Sequence, residues 1–272
     1  MIQREFAEQI VEGVKSNPEI VGLAVGGSWI TNEMDKYSDL DLVLVTKTKI
    51  SDDKCKMINF ASGFGNLLNA FTGEHVGEPR VLICLYDNPF LHVDIKFVTP
   101  EELKERVEDP VVLWEKENIL TEIIKSTKSE WPKMDFQWIE DRFWTWVHYA
   151  TLKIGRGEYF EALDFLSYLR VNVIAPFLQL KNGRLPRGSR KVELNLGSDD
   201  LEKLIATVPK YQINSIINAL EKMIELYLEL RKDLYPDSIE LNERLREKTQ
   251  GVLIETKMNT EKSNGAQSVK LP

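Results

Sequence analysis

Three aspartates and one glycine pair have the types and spacing to do chemistry. Asp39 and Asp41 lie one residue apart in SDLDLVLV, where the chain enters an apolar run. Asp94 sits in LHVDIKFV, where Val93, Ile95 and Phe97 alternate with His92, Asp94 and Lys96. Alternate side chains of a strand share a face, about 7 Å apart, so Asp39 and Asp41 point the same way. If HVDIKF pairs beside LDLVLV, three carboxylates converge on one point. Buried carboxylates are costly unless they are paired or bind a metal. A cluster of hard oxygen ligands suits Mg²⁺, with phosphate oxygens completing the shell. A pair of such ions can stabilise both the attacking and the leaving oxygen of a phosphoryl displacement. Upstream, Gly26-Gly27-Ser28 fits the same task. Glycines let the backbone approach a phosphate, a helix starting near Ser28 offers free N–H groups, and the serine hydroxyl adds a donor.

These residues need a scaffold. IVGLAV (20–25) and LDLVLV (40–45) read as buried strands on either side of the glycine turn, with SWITNEMD as a short helix or turn between them. Residues 2–16 place Ile2, Phe6, Ile10 and Val14 on one helical face, stopped by Asn17-Pro18. MINFASGFGNLLNAF (57–71) is expected to be helical. RVLICLY (80–86) and LHVDIKFV (91–98) form a hairpin across Asp87-Asn88-Pro89, the second being the last strand of its domain. Thr99-Pro100-Glu101-Glu102 is a capping box with proline at the first helical position, so a helix is expected there.

Past about residue 130 strand signals vanish. Helical patterns cover 136–154, 158–181, 199–207 and 210–233, beginning with the aromatic-rich WPKMDFQWIEDRFWTWVHYATLKIG. The expected layout is therefore α+β: residues 1–130 form a domain with a mixed, twisted sheet of four or five strands flanked by helices. An all-α helical bundle follows over 131–255. The polar, aperiodic stretch 256–272 is expected to be disordered.

The 272 residues carry a formal net charge of -8, which argues against a duplex nucleic acid partner. Cys55 and Cys84 fall in apolar surroundings and read as buried, reduced thiols. No apolar run reaches the roughly 18 residues of a membrane span, and MIQREFAEQI lacks the apolar core of a signal peptide. A soluble, cytoplasmic protein without a membrane or nucleic acid partner is expected.

GGSW…SDLDLVLV with the later HVDIKF resembles the DNA polymerase β-type nucleotidyltransferase superfamily. Within it the chain is similar to bacterial aminoglycoside and lincosamide nucleotidyltransferases, through residues 20–98 and more weakly through YATLKIGRGEYFEALDFLSYLR. The resemblance implies an enzyme that moves a nucleoside monophosphate, AMP from ATP, onto a hydroxyl of a small molecule such as an antibiotic, releasing pyrophosphate. It implies that Gly27 and Ser28 hold the phosphates, that Asp39 and Asp41 ligate Mg²⁺, and that Asp94 is the third carboxylate. A lysine at position 153, and after it Arg156, would contact the triphosphate, although two solvated basic residues at a helix end are as ordinary a reading. The substrates would meet in a cleft between the two domains, in a monomer or homodimer.

No extra glutamate stands beside Asp94 on its own strand. The resemblance implies that the third acid or a neighbour also takes the acceptor's proton: Asp94, acting through the metal, is the first choice, with Glu140 or Asp141 second. His92 reads as a hydrogen-bonded partner of the carboxylate and Lys96 as a charge partner. Trp138, Trp144, Trp146 and Tyr149 are packing residues, one or two of which line a substrate cleft. The basic run NGRLPRGSRK (182–191) reads as a solvated loop, with a lid over the nucleotide as the alternative. Two rivals remain: a nucleotidyltransferase acting on another metabolite or a protein, and a regulatory or antitoxin-like binding module. Retention of all three carboxylates argues against the second, since binding alone needs no complete metal cluster.

Overall fold

The computed structural model describes the backbone of residues 1–268 and the side chains of residues 1–262. The chain divides into two compact units, Met1–Pro132 and Lys133–Pro272.

The first unit is built on a mixed six-stranded sheet in the order β3-β4-β5-β2-β1-β6. The strands are β1 (Ile20–Val25), β2 (Leu40–Thr46), β3 (Asn66–Gly73), β4 (Glu78–Asp87), β5 (Leu91–Val98) and β6 (Val111–Glu115). Neighbours pair antiparallel except β2 and β5, which run parallel. Helices α1 (Ile2–Lys15) and α2 (Lys54–Ser62) cover one face, where Phe6, Ile10, Met57 and Ala61 pack with Leu23, Leu42, Leu82, Val93 and Ile95. Helix α3 (Ile119–Ser126) joins a smaller core of Val21, Ala24, Val45, Val98, Leu103 and Leu120. Strand β1 contributes to both cores, which is why all six of its residues are buried and why it reads as an unbroken apolar run.

Several expectations are corrected here. Residues 57–71 are not one helix: α2 ends at Ser62, Gly63 caps it, and Asn66–Gly73 becomes the edge strand β3. Strand β6 makes the count six, so β5 is not the last strand. The capping box at Thr99 forms as expected, with the Thr99 N–H donating to Glu102 Oε2 at 2.9 Å and the Glu102 N–H to Thr99 Oγ1 at 3.2 Å. It starts only a 3₁₀ turn, Glu102–Lys104, after which the chain returns to extended backbone at Glu105. Cys84 is buried, whereas Cys55 is exposed in the first turn of α2: with Met57 and Ala61 turned to the core, helical geometry turns Cys55 away from it.

The second unit is helical: α4 (Phe136–Gly155), α5 (Tyr159–Leu169), α6 (Ala175–Lys181), α7 (Val192–Asn195), α8 (Ser198–Ile205), α9 (Ile213–Leu234) and α10 (Glu243–Ser268). Helices α5 and α6 are joined through one π-helical segment, Arg170–Ile174. Its core includes Phe143, Trp144, Val147, Leu166, Phe177, Leu220 and Tyr227, with the Phe143 and Tyr227 rings stacked at 3.5 Å. The stretch from Thr256, expected to be disordered, continues α10 as far as Ser268; residues 269–272 lie outside the described part. Buried Leu253 anchors that helix, and Lys257 extends it by pairing with Glu221 at 2.8 Å. No helix among the described residues is long and apolar enough to cross a membrane.

Candidate active site

Parallel pairing of β2 with β5 decides the site. The register sets Leu40 opposite Val93, Asp41 opposite Asp94 and Leu42 opposite Ile95. Leu40, Leu42, Val93 and Ile95 are buried in the main core, so alternation turns Asp41 and Asp94 to the other face. Asp39, one residue before β2, joins them. Each of the three offers a carboxylate oxygen, and these oxygens all lie within 4.8 Å of one another. All three side chains are partly buried. Oxygen atoms in such a group could hold a divalent cation of the Mg²⁺ type.

The turn leading to Asp39 is fixed from a distance. Gln3, on α1 and only 1% exposed, donates its amide to the Asp35 carbonyl at 3.0 Å and the Ser38 carbonyl at 2.8 Å. The turn also braces itself, with the Tyr37 N–H on Asp35 Oδ1 at 2.8 Å and the Asp35 N–H on Ser38 Oγ at 2.9 Å. Asp39 thus enters the cluster from an ordered turn.

Gly26-Gly27-Ser28 lies against the cluster. The Gly26 N–H donates to the Asp41 carbonyl at 2.8 Å. Gly27 begins a short 3₁₀ turn, Gly27–Trp29, at φ +60, a conformation that disfavours any side chain. A Cβ on Gly27 would stand 1.9 Å from Asp41 Oδ2. The backbone is therefore pressed against the carboxylate, and only glycine permits it. The Gly27 N–H in turn donates to Glu108 Oε1 at 2.7 Å. Glu108, in the loop before β6, has no signal in the sequence; the contact spans 81 positions.

Electrostatics follow from this crowding. Burial pushes the Asp94 carboxyl above its ordinary value; His92 opposes that rise and the charge of Asp39 adds to it. His92 Nε2 lies 2.9 Å from Asp94 Oδ1. Lys96, next on the same face, is bound to Glu78 at 2.9 Å. Arg80 first, and Lys96 after it, hold the Glu78 carboxyl down at about 2.

A model of the streptomycin adenylyltransferase family matches residues 2–238. The chain belongs to that family. As a member it is an enzyme of the adenylyltransferase type, a class of nucleotidyltransferase. Among solved structures the chain is similar to an aminoglycoside 6-adenyltransferase from Bacillus subtilis, at 14% identity and a TM-score of 0.38, over 92% of this chain and 98% of that one. It is also similar to a nucleotidyltransferase-like protein from Exiguobacterium sibiricum 255-15, at 14% identity and a TM-score of 0.36, over 84% and 75% of the two chains. No curated protein sequence gives a significant match.

The remaining candidates belong to the second unit. Lys153, in the last turn of α4, pairs with Glu158 at 2.7 Å and Glu161 at 2.9 Å, and these two carboxylates hold its ammonium above its ordinary value. Arg156 is exposed and stands 3.9 Å from Glu158. Glu140, a second choice for the base, is buried at 1% exposure in the helical core. It accepts from Tyr227 OH at 2.5 Å, Arg231 Nη1 at 3.0 Å and Trp144 Nε1 at 3.3 Å. A carboxylate so enclosed is a structural anchor, which corrects that assignment. Asp141 is exposed and accepts from Gln137 at 2.8 Å. The basic run 182–191 is a folded loop, since buried Gln179 accepts from the Arg187 N–H at 2.7 Å and donates to the Arg190 carbonyl at 3.0 Å.

Proposed function

We propose that this adenylyltransferase moves AMP from ATP onto a hydroxyl of a small molecule, an aminoglycoside first among candidates, and releases pyrophosphate. One observation carries the reading: three carboxylate oxygens from Asp39, Asp41 and Asp94 lie within 4.8 Å of one another, beside the glycine turn. An all-oxygen donor set of this kind fits Mg²⁺. When bound, that ion supplies charge neutralisation for the triphosphate and acidifies the acceptor hydroxyl.

The chain's own residues take distinct parts. Asp39 and Asp41 would hold the cation that meets the nucleotide, and Asp94 would complete the set. Asp94 would also accept the acceptor's proton, as the third carboxylate of the cluster. The Ser28 hydroxyl would donate to a phosphate oxygen, whereas Gly27, whose N–H is taken by Glu108, would serve by its close approach to Asp41. Lys153 would contact the triphosphate only by leaving Glu158 and Glu161. The net charge of -8 favours a polycationic acceptor, and the family description points to streptomycin as the first to try.

The test is Mg²⁺-dependent pyrophosphate release from ATP across a panel of aminoglycosides and lincosamides. Release that requires one acceptor and disappears in Asp41→Asn supports the reading. Undiminished release in Asp41→Asn overturns the metal assignment.

A further inference from the structure

We infer that Glu108 is a positioning residue for the metal-binding carboxylate Asp41, acting through the backbone of the glycine turn. The inference rests on the functional reading above and names a residue that reading does not use.

The linkage is continuous. Glu108 Oε1 accepts the Gly27 N–H at 2.7 Å, the length of a charge-assisted hydrogen bond, which is stronger than a neutral one. Gly27 in turn walls one side of the Asp41 carboxylate, so closely that a single added carbon would stand 1.9 Å from Oδ2. The Gly26 N–H holds the Asp41 backbone carbonyl at 2.8 Å. The turn is therefore tied to Asp41 at its main chain and pressed against its side chain, and Glu108 holds the turn in that place. The 3₁₀ turn Gly27–Trp29 is a single turn, too short to be rigid by itself.

Glu108 is in turn carried on anchored backbone. Arg106, whose side chain is 6% exposed, donates to the Thr127 carbonyl at 2.9 Å and the Ile124 carbonyl at 3.1 Å, and pairs with Asp109 at 2.7 Å. The Glu130 N–H closes the loop on the Arg106 carbonyl at 2.9 Å. The end of α3 thus fixes the loop, the loop fixes Glu108, and Glu108 fixes the turn against Asp41. Without the carboxylate, Gly27 retreats and Asp41 gains rotamers that do not face Asp39 and Asp94. Residues that orient metal ligands in this way typically govern metal affinity by about 10- to 100-fold.

The experiment compares Glu108→Ala, Glu108→Gln and the unaltered protein in three measurements: Mn²⁺ binding by calorimetry, the Mg²⁺ concentration for half-maximal transfer, and thermal unfolding without divalent ions. Glu108→Ala should weaken Mn²⁺ binding and raise the half-saturating Mg²⁺ by about tenfold, with kcat at saturating Mg²⁺ within about threefold and Tm little changed. Glu108→Gln, which keeps an acceptor for the Gly27 N–H, should restore both constants to within about threefold. Three results overturn the inference: unchanged metal constants in Glu108→Ala, losses that track Tm alone, or Glu108→Gln as impaired as Glu108→Ala. Failure of the functional reading itself would look different, because the unaltered protein would then bind no Mn²⁺.

Discussion

Gly27→Ala isolates the closest contact in the site. The added Cβ would stand 1.9 Å from Asp41 Oδ2 and 2.9 Å from Asp41 Cγ, whereas real Cβ atoms essentially never approach a heavy atom within 3.0 Å. The oxygen must therefore retreat by at least 1.1 Å, the difference between those limits. The carboxylate is the end of a rotatable side chain, so it moves at modest cost in stability. Holding alanine at φ +60 adds about 1–2 kcal/mol, which lowers Tm by about 2–8 °C in a protein of this size. The consequence for catalysis is disproportionate, because a displacement of about 1 Å at a reacting centre can cost about 100-fold in rate. The assay pairs thermal unfolding with Mg²⁺-dependent transfer at a temperature where the variant is fully folded. Gly27→Ala should retain its fold and lose about 100-fold in kcat/KM. Activity within threefold of the unaltered protein would refute the reasoning, since Asp41 would then tolerate the shift.

Three further outcomes follow from particular groups. Without divalent ions, Asp94→Asn should raise Tm near pH 8, because it removes one of three crowded carboxylates, and Mg²⁺ should no longer stabilise it. The Asp94 carboxyl is raised in the folded state by burial, so the folded protein binds this proton more tightly; stability should rise, and that difference close, as pH falls through the raised value. Arg231→Ala strands the buried Glu140 carboxylate and should cost about 3–5 kcal/mol in urea unfolding, whereas the pair Arg231→Met with Glu140→Leu should recover most of the loss. At pH 8 a thiol reagent should label Cys55 promptly and Cys84 only after unfolding, since burial pushes the Cys84 thiol up to about 12.

The carboxylate chemistry was legible because it is local: Asp39 and Asp41 are neighbours on one strand, and the alternation around Asp94 already separates it from Val93 and Ile95. What brings them together, the parallel β2–β5 register, is non-local and entered the sequence reading only as a condition. The error at 57–71 has a visible cause. Two glycines break the helical pattern there: Gly63 caps α2 and Gly65 precedes β3. Strand β6 leaves little signal in the sequence because VVLWE is short and follows directly on Asp109-Pro110. Gln3 and Glu108 lay beyond reach, as each acts on backbone groups 32 to 81 positions away. The partners of Lys153 are different. Glu158 and Glu161 stand five and eight residues on, with Gly157 at φ +76 folding the chain back between them, so their approach could have been weighed from spacing.

The central claim is that the aspartate cluster serves nucleotidyl rather than phosphoryl transfer. It is tested most directly by offering ATP radiolabelled at either the α- or the γ-phosphorus, with Mg²⁺ and an aminoglycoside acceptor. The α-label should appear on the acceptor and the γ-label in pyrophosphate, with both signals lost in chelator and in Asp41→Asn. Label from the γ-position on the acceptor, or α-label transfer undiminished in Asp41→Asn, would contradict the account.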